Sequence, residues 1–159
     1  MSKLHKYKMT VEWTGNEGKG TSGYKSYNRN HNIRGIEKPT SIDGSSDPNF
    51  LGDKNRYNPE ELFLSSLAAC HMLWYLHLCA SNNIIVLEYV DAAKGTMEET
   101  SNGSGRFTEV MLNPKVTVSD ERMIEKAIAL HHDAHKMCFI ANSCNFPIFH
   151  TPIIKTGHA

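Results

Sequence analysis

Nineteen consecutive residues, Leu62 to Ala80, carry no formal charge, and any fold this chain adopts has to find cover for them. A run of that length approaches what crosses a bilayer. Its polar content argues against a span: Ser65, Ser66, Cys70, His71 and His77 interrupt it, Glu60 and Glu61 directly precede it, and no basic anchors flank it. We read it as the core helix of a soluble domain with no membrane partner. Its start is well marked, because Asn58 can cap, Pro59 suits the first helical position, and Glu61 is spaced to bond back to the cap near the positive end of the dipole. The spacing predicts a helix to about Ser81. Apolar residues on nearly every side of it predict burial at the centre of the fold.

Strands and one further helix account for the remainder. Tyr7 to Thr14 sets Tyr7, Met9, Val11 and Trp13 against polar residues and reads as a strand. Asn16 to Gly23 is a glycine-rich turn and Tyr24 to Ile33 resumes an extended pattern, so the first two elements form an antiparallel hairpin. Asp43 to Tyr57, rich in Ser, Asp, Gly, Asn and Pro, reads as a long loop of the kind that often carries function. Past the central helix, Ile84–Met97 and Gly105–Val118 read as two strands joined by the turn Thr100–Gly103. Ser119 or Asp120 then caps a second helix, with Met123, Ile124, Ala127, Ile128, His131, Ala134 and His135 at helical spacing. Phe146 to Ile154 reads as a last short strand. This order implies an α+β domain in which antiparallel sheet wraps a central helix. At 159 residues one core is expected, hence a single domain over residues 1–159.

Seventeen basic residues balance seventeen acidic ones, so the surface lacks the positive field that a nucleic-acid partner needs. Met1 to Met9 mixes Lys3, His5, Lys6 and Lys8 with few apolar residues and resembles no signal peptide, which points to the cytoplasm. In a chain without secretory features the four cysteines, Cys70, Cys79, Cys138 and Cys144, are reactive, metal-binding or plain buried thiols rather than structural disulfides. Cys70 lies in mid-helix, where a cysteine is ordinarily a small hydrophobe. Cys79, nine residues on, points to the opposite face and suits inert packing. Cys138 ends the second helix, in a segment that also carries His131, His132 and His135 and is followed by Cys144.

Asn58-Pro59-Glu60-Glu61-Leu62-Phe63 followed by Leu67-Ala68-Ala69-Cys70, with Glu60 ten residues before the cysteine, resembles the signature of the OsmC/Ohr thiol peroxidases (osmotically inducible protein C and organic hydroperoxide resistance protein). The second helix, with His135 and Cys138, is similar to that family's second-cysteine region, and the resemblance runs from about Tyr7 to Pro152. It implies an OsmC-like fold with antiparallel sheets around a long buried helix, and an intertwined homodimer with two active sites at its interface. It also implies a hydroperoxide substrate, a dithiol reductant of lipoyl type and no cofactor. By the same carry-over Cys70 is peroxidatic, Cys138 resolving, and Glu60 the carboxylate that orients an active-site arginine. Two departures stand out: Phe139 follows Cys138 where the family often has proline, and Cys144 adds a thiol. The arginine aligns less cleanly. Arg29, on the strand after the first hairpin, is the candidate and Arg56, beside the helix start, the alternative.

On one straight helix Glu60 and Cys70 lie about 15 Å apart along the axis, too far for one guanidinium to touch both. Either the helix breaks between them or the partners come from two subunits. Leu62, Phe63, Leu67, Leu73 and Trp74 are expected to line an apolar pocket that favours organic hydroperoxides over hydrogen peroxide. Two other readings remain: a catalytically inactive small-ligand binding protein of the same fold, and a metal-binding protein built on His131, His132, His135 and Cys138. The second lacks a CxxC pair or a His-Glu-x-x-His motif.

Overall fold

The computed structural model describes residues 3–157. The chain divides into two compact units at Leu62/Phe63. In the first, β1 (Met9–Trp13), β2 (His31–Gly35) and β3 (Ile42–Gly44) form an antiparallel sheet in that order. Val11 stands opposite Ile33, and the expected hairpin is present, with β2 starting later than its extended pattern suggested. The 43–57 segment is tied rather than free. Asp43 and Gly44 complete β3, Gly44 bridges Tyr57, Ser45 N–H donates to the Tyr57 carbonyl at 2.9 Å, and the Asp47 side chain caps a 3-10 turn over Pro48–Phe50.

Helix α1 (Pro59–Ser81) begins with a reciprocal capping box: Glu61 N–H donates to Asn58 Oδ1 at 2.8 Å and Asn58 N–H donates to Glu61 Oε2 at 3.1 Å. It is one unbroken helix, which removes the expected break between Glu60 and Cys70. Burial also departs from expectation. A single stripe at every fourth residue, Leu67, His71, Tyr75 and Cys79, is buried, and Leu73 remains 63% exposed. Although α1 is long and apolar enough to cross a membrane, 22% of its most apolar window is buried within the chain. Uniform apolarity predicts cover on all sides, and this chain itself supplies it on one.

The second unit packs that stripe against two small sheets and a second helix. Each long strand expected after α1 is divided in two. The chain forms β4 (Val86–Asp91), β5 (Lys94–Glu99), β6 (Gly105–Leu112) and β7 (Pro114–Val118), with β4 antiparallel to β7 and β5 antiparallel to β6. The division falls at Asn113, whose N–H donates to Asp91 Oδ1 at 2.7 Å and whose amide nitrogen donates to the Ala92 carbonyl at 3.1 Å; Pro114 then lacks a donor to continue the ladder. The C-terminal segment divides at the same level. β8 (Ile148–His150) runs parallel to β6 and β9 (Ile153–Thr156) parallel to β7, with Thr151 N–H bonded to the Leu112 carbonyl between them. The sheets are therefore mixed rather than purely antiparallel. Helix α2 (Ile124–Met137) follows a 3-10 turn that Asp120 caps, and it buries Ala127, Leu130, His131 and Ala134. Ile128, expected on the core face, is 47% exposed.

Candidate active site

Both thiols singled out in the sequence belong to the second unit, and the fold brings them together. Cys70 projects from α1 beside the buried stripe and stays partly exposed, whereas Cys138, at the C-cap of α2, is fully buried. Burial holds the Cys138 thiol well above the ordinary range, at about 11, and the neighbouring Cys70 side chain adds to the rise. Cys138 is thus a neutral thiol at physiological pH. Ala141 N–H donates to its sulfur at 3.4 Å.

Cys144 is turned away from this pair. Its thiol donates to the Ile140 carbonyl at 3.2 Å, while the N–H that reaches Cys138 belongs to Ala141. These two groups are the ends of one peptide unit, and in a trans peptide the C=O and N–H point in opposite directions. The Ile140–Ala141 peptide therefore stands between the two sulfurs. Cys79 is buried in the main apolar cluster, as its helical phase predicts, with its thiol pushed up by burial.

Cys70 opens onto a cavity of about 500 Å³. Its helical wall is Ser66, Ala69, Leu73, Trp74 and His77, and its far wall is Phe139 and Ile140. Trp74 meets Phe139 edge-on at 5.5 Å and His77 at 5.7 Å. Of the expected lining, Leu73 and Trp74 are present. Leu67 instead packs with Val110 and Leu112, and Phe63, two turns before Cys70 along α1, meets Phe107 at 5.1 Å and Phe146 edge-on at 6.0 Å. Leu62 is likewise not part of the lining.

A feature missed in the sequence lies one residue deeper. His71 Nε2 and His131 Nδ1 are 3.0 Å apart across the α1–α2 contact, His131 stacks on Tyr75 at 3.8 Å, and His135 and His150 complete the group. Burial pushes His71 down to about 4, helped by His150 and His135, and His131 down to about 3, helped by His71 and His150. His135 and His150 are lowered too, again mainly by burial. The far nitrogens of the first pair, His71 Nδ1 and His131 Nε2, are buried with no hydrogen-bond partner. His150, distant in sequence and on a strand, carries no motif that would have joined it to the helical histidines.

Arg29 and Glu60 belong to the first unit. The Arg29 guanidinium donates to the Tyr27 and Tyr24 carbonyls at 2.6 and 2.7 Å and lies over both tyrosine rings. Arg56 faces Asp43 and Asp53 at 3.9 and 3.7 Å. Glu60 sits in the first turn of α1. As for a metal centre, no group of three or more His, Cys, Asp or Glu side chains among the described residues is arranged to hold an ion. His132, one of the proposed ligands, is exposed while its neighbour His131 is buried.

A long helix and a capping second helix that together present one open and one sealed thiol, flanked by small mixed sheets, define an OsmC-like protein. Residues 52–151 match the family model described as OsmC-like protein, and the chain belongs to that family. An OsmC-like protein of unknown function from Vibrio cholerae is 28% identical and superposes with a TM-score of 0.84, covering 94% of this chain and all of that one. An organic hydroperoxide resistance protein from Elizabethkingia anophelis, 21% identical, shares the fold with a TM-score of 0.69 over 99% of this chain and all of that one. One from Legionella pneumophila, 15% identical, does so at 0.64 over 98% and 99%. No curated protein is a significant match to the chain.

Proposed function

We propose that the protein is a cysteine-based peroxidase that reduces organic hydroperoxides, with hydrogen peroxide as the poorer substrate. One observation carries this reading: a partly exposed Cys70 on the wall of an apolar cavity lies beside the buried thiol of Cys138, both cysteines being free. The Cys70 thiolate attacks the hydroperoxide, an S–O bond forms, the O–O bond breaks, and the alkoxide takes up a proton and leaves as the alcohol. Cys138 sulfur then attacks the Cys70 sulfenic acid; an S–S bond forms, the S–O bond breaks, and hydroxide departs with the Cys138 proton as water. An external dithiol of lipoyl type restores both thiols by disulfide exchange.

Full ionisation of a cysteine adds only about tenfold to thirtyfold over the few per cent present near neutrality, and nucleophilicity falls as acidity rises. A cation that also stabilises the departing alkoxide is worth a few kcal/mol more. We assign that role to Arg29, with Arg56 as the alternative, and its orientation to Glu60. Because α1 is continuous, one guanidinium does not reach both Glu60 and Cys70 of the same helix, so in this reading they serve the thiol of a second subunit. The functional unit is then a cytoplasmic homodimer with active sites at its interface, and the exposed Leu73 and Phe139 support it as apolar surface in need of cover. The test is peptide mapping by mass spectrometry after one equivalent of cumene hydroperoxide. A Cys70–Cys138 disulfide is expected. Four titratable thiols left intact would refute the peroxidase reading and favour an inactive ligand-binding member of the fold.

A further inference from the structure

Cys70 and Cys138 sit on different helices, so their contact depends on how α1 is registered against α2. Cys70 meets Cys138 and, further along α1, Tyr75 meets His131; the helices therefore run in opposite senses. Apolar side chains supply most of this contact, and apolar packing is non-directional. One directional bond stands beside the thiols: His71, the residue after Cys70, shares a hydrogen bond of 3.0 Å with His131, which lies seven residues and almost two full turns before Cys138 on the same face of α2. Both rings are fully buried, and their outer nitrogens are left without partners. A hydrogen bond between two buried rings has a preferred distance and direction, which apolar side chains at the same positions would not impose.

We propose that the His71–His131 hydrogen bond is a register clamp that holds Cys138 within bonding reach of Cys70, making both histidines positioning residues for disulfide formation. A slip of one residue along α1 displaces Cys70 by about 1.5 Å. Misplacement by about 1 Å is enough to slow an intramolecular step by about a hundredfold. The step affected is attack of Cys138 on the Cys70 sulfenic acid. The competing step, attack of the sulfenic sulfur on a second hydroperoxide, yields sulfinic acid and a second alcohol and does not involve α2. Loss of the clamp thus shifts the product from disulfide to sulfinic acid and leaves the first oxidation of Cys70 unchanged.

This inference rests on the Cys70–Cys138 reading above, and the experiment separates the two. The full chain, wild type and His71→Leu/His131→Leu, is treated with increasing cumene hydroperoxide, and Cys70 disulfide and sulfinic acid are quantified by mass spectrometry alongside the rate of the first peroxide consumed. The double leucine variant keeps the fold because two apolar side chains replace two polar ones, and thermal melting verifies this. Expected is a sulfinic-to-disulfide ratio raised at least tenfold at equal peroxide, with an unchanged first-turnover rate. His71→Gln, whose amide retains a donor for His131, restores the wild-type ratio. If wild type forms no Cys70–Cys138 disulfide, the peroxidase reading fails. If wild type forms it and the folded double leucine variant partitions identically, the clamp alone is refuted.

Discussion

Acid should unfold this protein through its core histidines before its surface charges matter. His71 and His131 are fully buried, hydrogen-bonded to each other, and held down to about 4 and about 3 from the ordinary 6.5. The groups that face them are His135 and His150, both also lowered, and the Tyr75 and Tyr89 rings; none of these offers a negative charge near neutrality. The nearest carboxylate in this chain of contacts, Asp91, lies beyond Tyr89 and is itself raised by burial. Between pH 6.5 and the folded-state values, the unfolded chain takes up protons that the native state refuses, so stability is complete above 6.5 and falls as pH decreases. At pH 5, still above both folded values, each imidazole withdraws about 2 kcal/mol, or 1.36 kcal/mol for each of about 1.5 pH units below 6.5. The pair withdraws about 4 kcal/mol, a large share of a typical domain stability of about 5–15 kcal/mol. Urea titrations of reduced protein at pH 7.5, 6 and 5 report this as a midpoint lower by about 2 M at pH 5, for a slope of about 2 kcal/mol per molar. His71→Leu/His131→Leu should remove most of that dependence. An equal midpoint loss in wild type and the double leucine variant would refute the assignment.

Four single substitutions extend the tests to the site and to the core beside it. Cys70→Ser should abolish peroxide turnover, whereas Cys138→Ser should permit one oxidation and then accumulate sulfinic acid at Cys70, both read by a coupled dithiol assay and mass spectrometry. Cys144→Ser should leave the disulfide yield at wild-type level, since the Ile140–Ala141 peptide separates its sulfur from Cys138; a loss of most of the disulfide would show that this segment rearranges during turnover. Leu67→Ala, at a fully buried position between Val110 and Leu112, should cost about 2–5 kcal/mol in urea unfolding while leaving the thiol pair assembled.

What could be read from sequence and what could not divide along a physical line. The start of α1 was legible because capping is local: Asn58, Pro59 and Glu61 carry the whole signal within four positions. Cys79 was separable from Cys70 by helical phase alone. Failures came where a partner is distant in sequence. Asn113 and Thr151–Pro152 divide three apparent strands because Asp91, Ala92 and Leu112 supply their hydrogen bonds, and strand periodicity is blind to that. His150 joins the histidine group through β8 pairing with β6, and Phe139 enters the cavity through the turn after α2. Uniform apolarity of α1 predicts burial on all sides, whereas pattern reports only which surfaces need cover and not whether the same chain supplies it. The proposed arginine is the least legible element, since a guanidinium reaches far and no local spacing identifies its target.

In the proposed peroxidase, the unequal burial of the two thiols would keep the site from defeating itself. A peroxidase needs its second cysteine to react with sulfenic sulfur and not with the peroxide in the cavity. Burial raises the Cys138 thiol well above the ordinary range, so it stays protonated at pH 7, and no solvent-exposed surface remains on it, so hydroperoxide has neither a nucleophile nor a path there. The same suppression slows it as a resolving thiol. Proximity offsets it: well-oriented intramolecular reactions reach effective molarities of about 10⁵–10⁸ M, which exceeds the ionisation deficit provided the sulfurs are in contact. The proton that burial keeps on Cys138 is also the one that the departing hydroxide needs. Burial therefore serves selectivity and proximity serves rate, and the arrangement works only while α1 and α2 keep their register. That dependence is why the hydrogen bond between His71 and His131, rather than the acidity of either thiol, is the feature on which the chemistry should prove most sensitive.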